Sequence, residues 1–173
     1  MEYKFKTEPY AHQLKALGAS HNKENFALFM EMGTGKSKVL VDNIAMLYDK
    51  GKINAALIVA PKGVYRNWER QEIPIHMPDH IVHNVVAWSP ATTKKQQKEN
   101  LKLFKHGEQL TIFLMNIEAF STKKGLDIAQ RFLLAHQTLM AIDESTTIKS
   151  PTARRTKNVL KLRNYAKYRR ILT

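Results

Sequence analysis

Short apolar runs alternate along this chain with longer amphipathic stretches, and that alternation limits its fold more than any other feature. The runs NFALFM, AALIVA, HIVHNVVAW, LTIFLM, TLMAID and RRILT read as strands. Between them, helices are expected over HQLKALGAS, Lys36 to Tyr48, Val64 to Ile73 (ended by Pro74), Thr92 to Lys105, Leu126 to Ala135 and Thr152 to Arg163. A strand with one wet face alternates apolar and polar residues. These runs are largely apolar throughout, so both faces are expected to be covered. The pattern predicts an α/β fold of three layers, with a mostly parallel central sheet and helices on both sides. With 173 residues, 43% of them apolar, the chain suffices for one such domain, residues 1–173, and leaves no room for a second of equal size.

Charge and cysteine content narrow the function classes. There are 28 Lys and Arg against 15 Asp and Glu, a net charge of +13, which points to a polyanionic partner. From Lys149 onward nine residues are basic and none acidic, and a second cluster, Lys94, Lys95, Lys98, Lys102 and Lys105, is interrupted only by Glu99. One such run is ordinarily a solvated helix face; two of them make nucleic acid the leading partner. The absence of cysteine excludes disulfides and thiolate metal sites. No signal-type segment or run approaching ~20 apolar residues is present, so an intracellular, soluble protein, cytoplasmic or nucleoid-associated, is expected.

The chemistry begins at Phe26 to Leu47, FALFMEMGTGKSKVLVDNIAML. A strand leads into Gly33, Thr34, Gly35, Lys36 and Ser37, which open a helix. That is the context in which a glycine-lysine-serine run reads as a phosphate loop. The glycines let backbone N–H groups approach phosphate oxygens, and the helix N-terminus adds partial positive charge. Lys36 is suited to the β- and γ-phosphates of ATP and the Ser37 hydroxyl to Mg²⁺. Met30 stands where a strict phosphate loop has its first glycine, a departure expected to be tolerated. Downstream, TLMAIDEST is a strand ending in two acids. Asp143 suits an outer Mg²⁺ ligand and Glu144 a base for the attacking water.

These stretches, together with EPYAHQLKAL, LIVAPKGVYRNWERQEI, MNIEAF, IDESTTIKS and the terminal RRILT, resemble the ordered motifs of superfamily-two helicases and translocases of the Swi/Snf-type branch. The resemblance runs from Pro9 to Thr173. It implies the first, N-terminal RecA-like lobe, a P-loop fold, of a DNA-dependent ATPase that moves on or remodels duplex or branched DNA without regard to sequence. It further implies that Gln13, with Tyr10 nearby, holds the adenine edge. Lys62, Arg66 and Asn116 become candidate DNA contacts, with Glu118 marking the Asn116 segment. Trp68 is expected in the core, packing a helix onto the sheet, and the seven histidines in ordinary surface or packing roles. Leu172 and Thr173 resemble the start of a motif that usually continues Gly-Thr-Pro, which implies a fragment of a longer protein and a second RecA-like lobe beyond it.

Two departures stand out. Ser145 and Thr146 replace residues that in the family commonly help couple hydrolysis to lobe movement. The second lobe, with its arginine finger, is not in this sequence. Such a finger is worth roughly 10³–10⁵ in rate, so poor hydrolysis by the chain alone is expected. Alternatives are the motor lobe of a restriction-modification translocase, a stand-alone nucleotide-gated nucleic-acid-binding module, and an RNA helicase.

Overall fold

The computed structural model describes residues 2–31, 33–144 and 153–173. Ser145 and Thr146, and Thr152 at the start of the last expected helix, lie outside them. Six strands are formed: β1 (Asn25–Leu28), β2 (Ala55–Ala60), β3 (His83–Ala87), β4 (Leu110–Asn116), β5 (Thr138–Asp143) and β6 (Tyr168–Leu172). The helices are α1 (Ala11–Ser20), α2 (Lys36–Asp49), α3 (Tyr65–Asn67), α4 (Ile73–His76), α5 (Lys94–Leu101), α6 (Lys123–Ala135) and α7 (Arg154–Leu162). The strands form one sheet in the order β1-β6-β5-β2-β4-β3, and each neighbouring pair is parallel.

The apolar strands are covered on both faces. Along β2, Ala56, Ile58 and Ala60 pack with α1, α2 and α4, whereas Ala55, Leu57 and Val59 pack with α6 and α7. Every residue of β2 and β4 is buried, and burying a large apolar side chain of this kind contributes about 1.5–3 kcal/mol. Helix α6 shows how local sequence meets this demand. Thr122 accepts the Gly125 N–H at 3.1 Å as its N-cap. Ile128, Ala129, Phe132 and Leu133 then fall on one face and enter the core. By contrast α5 buries no side chain and presents its lysines to solvent.

The elements depart from expectation where pairing or backbone detail decides. At the sheet edge, β1 ends at Leu28, level with Leu172 of its one partner, and Phe29 and Met30 leave the sheet. Strand β3 spans only His83–Ala87. Pro74 does not end its helix. A five-residue π-turn, Trp68–Glu72, intervenes, and Pro74 falls in the first turn of α4, where a missing N–H is tolerated. Among the described residues no helix is long and apolar enough to cross a membrane.

Candidate functional site

Because all pairings are parallel, the carboxyl ends of the strands share one edge of the sheet, where ligands sit in such folds. There β1 hands over to α2 through residues 29–35. Gly33 and Gly35 adopt φ of 78° and 81°, a left-handed conformation that side chains disfavour. A Cβ on Gly35 would also collide with the Gln13 amide. Glu144 is the one non-glycine residue with positive φ among those described. Met30 is therefore outside the left-handed region and needs no glycine. Its N–H donates to the Thr173 carbonyl at 3.2 Å, and its side chain packs on the core. Gly35 is the N-cap of α2 and has no side chain to cap it, so the first N–H groups, beside half-buried Lys36 and Ser37, are available to an anion.

Asp143 closes β5, and Trp68 Nε1 donates to its Oδ2 at 3.1 Å. Burial pushes the Asp143 carboxyl up; the Trp68 hydrogen bond opposes this, Glu144 adds to it, and Lys36 is near enough for its charge to pull it down. Glu72, the last residue of the π-turn, is also raised, by burial and then by the charge of Asp143. Lys36, Asp143, Glu144 and Glu72 thus form one electrostatic cluster. Glu144, at φ 55°, turns the chain out of β5 in a conformation that commonly marks functional sites.

Helix α1 reaches this loop from the other side. Gln13 is buried; its Oε1 accepts the Tyr10 N–H at 2.9 Å and its Nε2 donates to the Thr34 carbonyl at 3.3 Å. His12 Nε2 donates to the same carbonyl at 2.9 Å, and its ring stacks on Tyr10, which is 71% exposed. Sequence reasoning gave His12 no part in the site. Its place beside Gln13 at the head of one helix was the available signal. The segment before α1 is strapped down too. Tyr3 Oη donates to Asp42 Oδ1 at 2.7 Å, Thr7 Oγ1 bonds His76 Nδ1 at 2.8 Å, and Lys6 donates to the Pro74 carbonyl at 2.9 Å.

The expected nucleic-acid contacts fall at the same edge. Lys62, exposed just after β2, lines a hollow of about 340 Å³ with Tyr65, Pro90, Asn116, Glu118 and Lys124. Arg66 lies 5.5 Å from the centre of the Tyr65 ring and 3.7 Å from Glu69. Asn116 is buried, and its Oδ1 accepts the Ala119 N–H at 2.9 Å. One residue of the basic run from Lys149 proves not to be surface charge. Arg170 is 1% exposed inside the fold.

These groups fit a magnesium-bound triphosphate. A left-handed glycine loop with free donors and a lysine suits phosphate, and a buried carboxylate raised by burial is stabilised by a cation. Among the described residues no cluster of three or more acids and histidines exists for an all-protein metal cage. One carboxylate and a hydroxyl, completed by substrate phosphates, are a customary magnesium set.

Among solved structures, the chain is similar to the SWI2/SNF2 ATPase core of Sulfolobus solfataricus in complex with dsDNA, with a TM-score of 0.72 at 20% identity, covering 100% of this chain and 33% of that one. It is similar to the UvsW helicase from bacteriophage T4, with a TM-score of 0.64 at 10% identity, covering 96% and 52%. It is also similar to a nuclease-deletion mutant of the Type ISP restriction-modification enzyme LlaGI in complex with a DNA substrate mimic, with a TM-score of 0.66 at 14% identity, covering 96% and 17%. At these identities the likeness shows the fold, an α/β RecA-like one. The chain spans about a third of the length of the Sulfolobus structure. Comparison with curated proteins gives no match. The SNF2-related domain model matches residues 12–173, and the chain belongs to the SNF2-related domain family.

Proposed function

We propose that this chain is the ATP-binding, N-terminal RecA-like lobe of a DNA-dependent ATPase that couples hydrolysis to movement on, or remodelling of, DNA. The observation carrying this reading is the meeting of the Gly33–Gly35 loop, Lys36, Gln13 and Asp143 at the carboxyl edge of the sheet, in a member of the SNF2-related family. Lys36 and the free N–H groups of α2 hold the β- and γ-phosphates. Ser37 and Asp143 would hold Mg²⁺, which would supply charge neutralisation for the triphosphate. Glu144 takes a proton from the attacking water. Tyr10 and Gln13 receive the adenine edge, and through the Thr34 carbonyl Gln13 links base recognition to the phosphate loop. A second RecA-like lobe completes the motor.

DNA lies across the edge that carries Lys62, Arg66 and the Asn116 amide, gripped through phosphates, as the basic balance favours. Duplex binding to the chain is then expected to be indifferent to sequence, with log affinity falling by about 0.9 per phosphate contact for each unit of log salt. Lys62→Glu combined with Arg66→Glu is expected to reduce that slope by about two. A salt-insensitive affinity, or strong preference for one duplex sequence, contradicts the proposal.

A further inference from the structure

We infer that Trp68 is a positioning residue for Asp143: its indole N–H holds one carboxylate oxygen so that the other stays turned to the magnesium position, and it ties that carboxylate to the phosphate-contact segment beginning at Pro61. The inference rests on the nucleotide reading above. Trp68 is 2% exposed, and its Nε1 lies 3.1 Å from Asp143 Oδ2, a contact between residues 75 positions apart. An indole N–H donates and does nothing else. It fixes the carboxylate without neutralising it, whereas a lysine or arginine there would displace the cation it is meant to attract.

The backbone carrying Trp68 is unusual at that place. Trp68 opens the π-turn Trp68–Glu72, and the Ile73 N–H closes back onto its carbonyl. Single π-turns are rare and concentrate at functional sites, where they re-aim side chains. Here the turn presents both Trp68 and Glu72 to Asp143. The path from the basic residues is short and braced. Strands β2 and β5 are neighbours, with Val59 level with Ile142. The Val64 and Tyr65 N–H groups donate to the Pro61 carbonyl at 2.9 and 3.0 Å, and Tyr65 Oη donates to the Trp88 carbonyl at 2.9 Å. Lys62 and Arg66 therefore share one rigid segment with Trp68, the kind of contiguous packing through which sites couple.

The test uses the one other tryptophan to advantage. In a Trp88→Phe chain, Trp68 emission reports its own surroundings. With a non-hydrolysable ATP analogue bound, added Mg²⁺ is expected to shift that emission, and Asp143→Asn to abolish the shift. In a chain otherwise native, Trp68→Phe keeps an aromatic side chain but removes the N–H together with the five-membered ring that carries it. It is expected to raise the Mg²⁺ midpoint of analogue binding about tenfold, the usual cost of losing an outer-shell partner, and to leave binding in EDTA unchanged. Duplex DNA is expected to move Trp68 emission, and Lys62→Glu with Arg66→Glu to remove that response. An unchanged Mg²⁺ midpoint in Trp68→Phe, or emission indifferent to Mg²⁺ or to DNA while analogue binding still depends on Lys36, overturns the inference alone. Analogue binding that ignores Lys36→Ala overturns the nucleotide reading with it.

Discussion

Arg170→Met is expected to lower the stability of the fold by about 1–3 kcal/mol in urea unfolding. The guanidinium is buried, with no carboxylate in a salt bridge to it among the described residues. Its cost is met by acceptors: Nε donates to Asn43 Oδ1 at 2.8 Å, Nη2 to the Ser20 carbonyl at 2.9 Å, and Nη1 to the Arg169 and Glu24 carbonyls at 2.8 and 3.3 Å. Burial pulls its pKa down to about 10, so it remains charged at neutral pH. Methionine fills much of the same volume yet leaves the buried Asn43 Oδ1 without its donor, at about 1–3 kcal/mol, while the Ser20 carbonyl keeps the Lys23 N–H at 3.1 Å. Those oxygens belong to α2 and to the end of α1, so Arg170 on β6 also fixes the two helices that frame the phosphate loop. Arg170→Lys keeps the charge but not the fork, and is expected to recover only part of the loss. A change below about 1 kcal/mol for the methionine variant contradicts this role.

Asp42→Ala is expected to cost more, about 3–5 kcal/mol, by a different route. Lys38 Nζ and Asp42 Oδ2 are 2.7 Å apart, with side chains only 5% and 2% exposed. Oδ1 of Asp42 takes the Tyr3 hydroxyl, and Lys38 lies 5.1 Å from the Phe5 ring centre. Alanine strands a buried ammonium and frees the Tyr3 anchor at once. Because residues 3–9 lead directly into Tyr10 and Gln13, adenine recognition is expected to weaken along with stability. Lys38→Met combined with Asp42→Leu removes both charges and is expected to regain most of the stability, since buried pairs exchanged for apolar residues are often neutral. If the double variant is as unstable as the single one, stranded charge is not the cause.

How much of this was legible in the sequence depends on whether a feature is local. AALIVA and TLMAID were placed to the residue because interior strands are apolar from end to end. The carboxyl end of β1 and the amino end of β3 were overrun, since an edge strand pairs only as far as its one neighbour; β3 also stops at Ala87, level with Leu114, although β4 runs on to Asn116. That Gly33, Gly35 and Lys36 join a strand to the start of a helix was readable from the local context, and Gly35 is the N-cap of α2. Lys38 and Asp42, four apart on α2, are buried under Tyr3 and Phe5 of the N-terminal strap, and no local pattern announces that. Trp68 was expected to be core, and it is buried, but its bond to Asp143 is a through-space fact. Arg170 was counted with a basic surface run because a charged residue on an apolar strand says nothing of the acceptors gathered around it.

The first measurement to make is ATP binding to the 173-residue chain by calorimetry, with and without Mg²⁺, beside Lys36→Ala. Mg²⁺-assisted binding weakened about 100-fold in the variant, equal to about 2.7 kcal/mol, is the expected result. Equal binding by both chains, or none by either, would contradict the assignment of Gly33 to Ser37 as the phosphate loop.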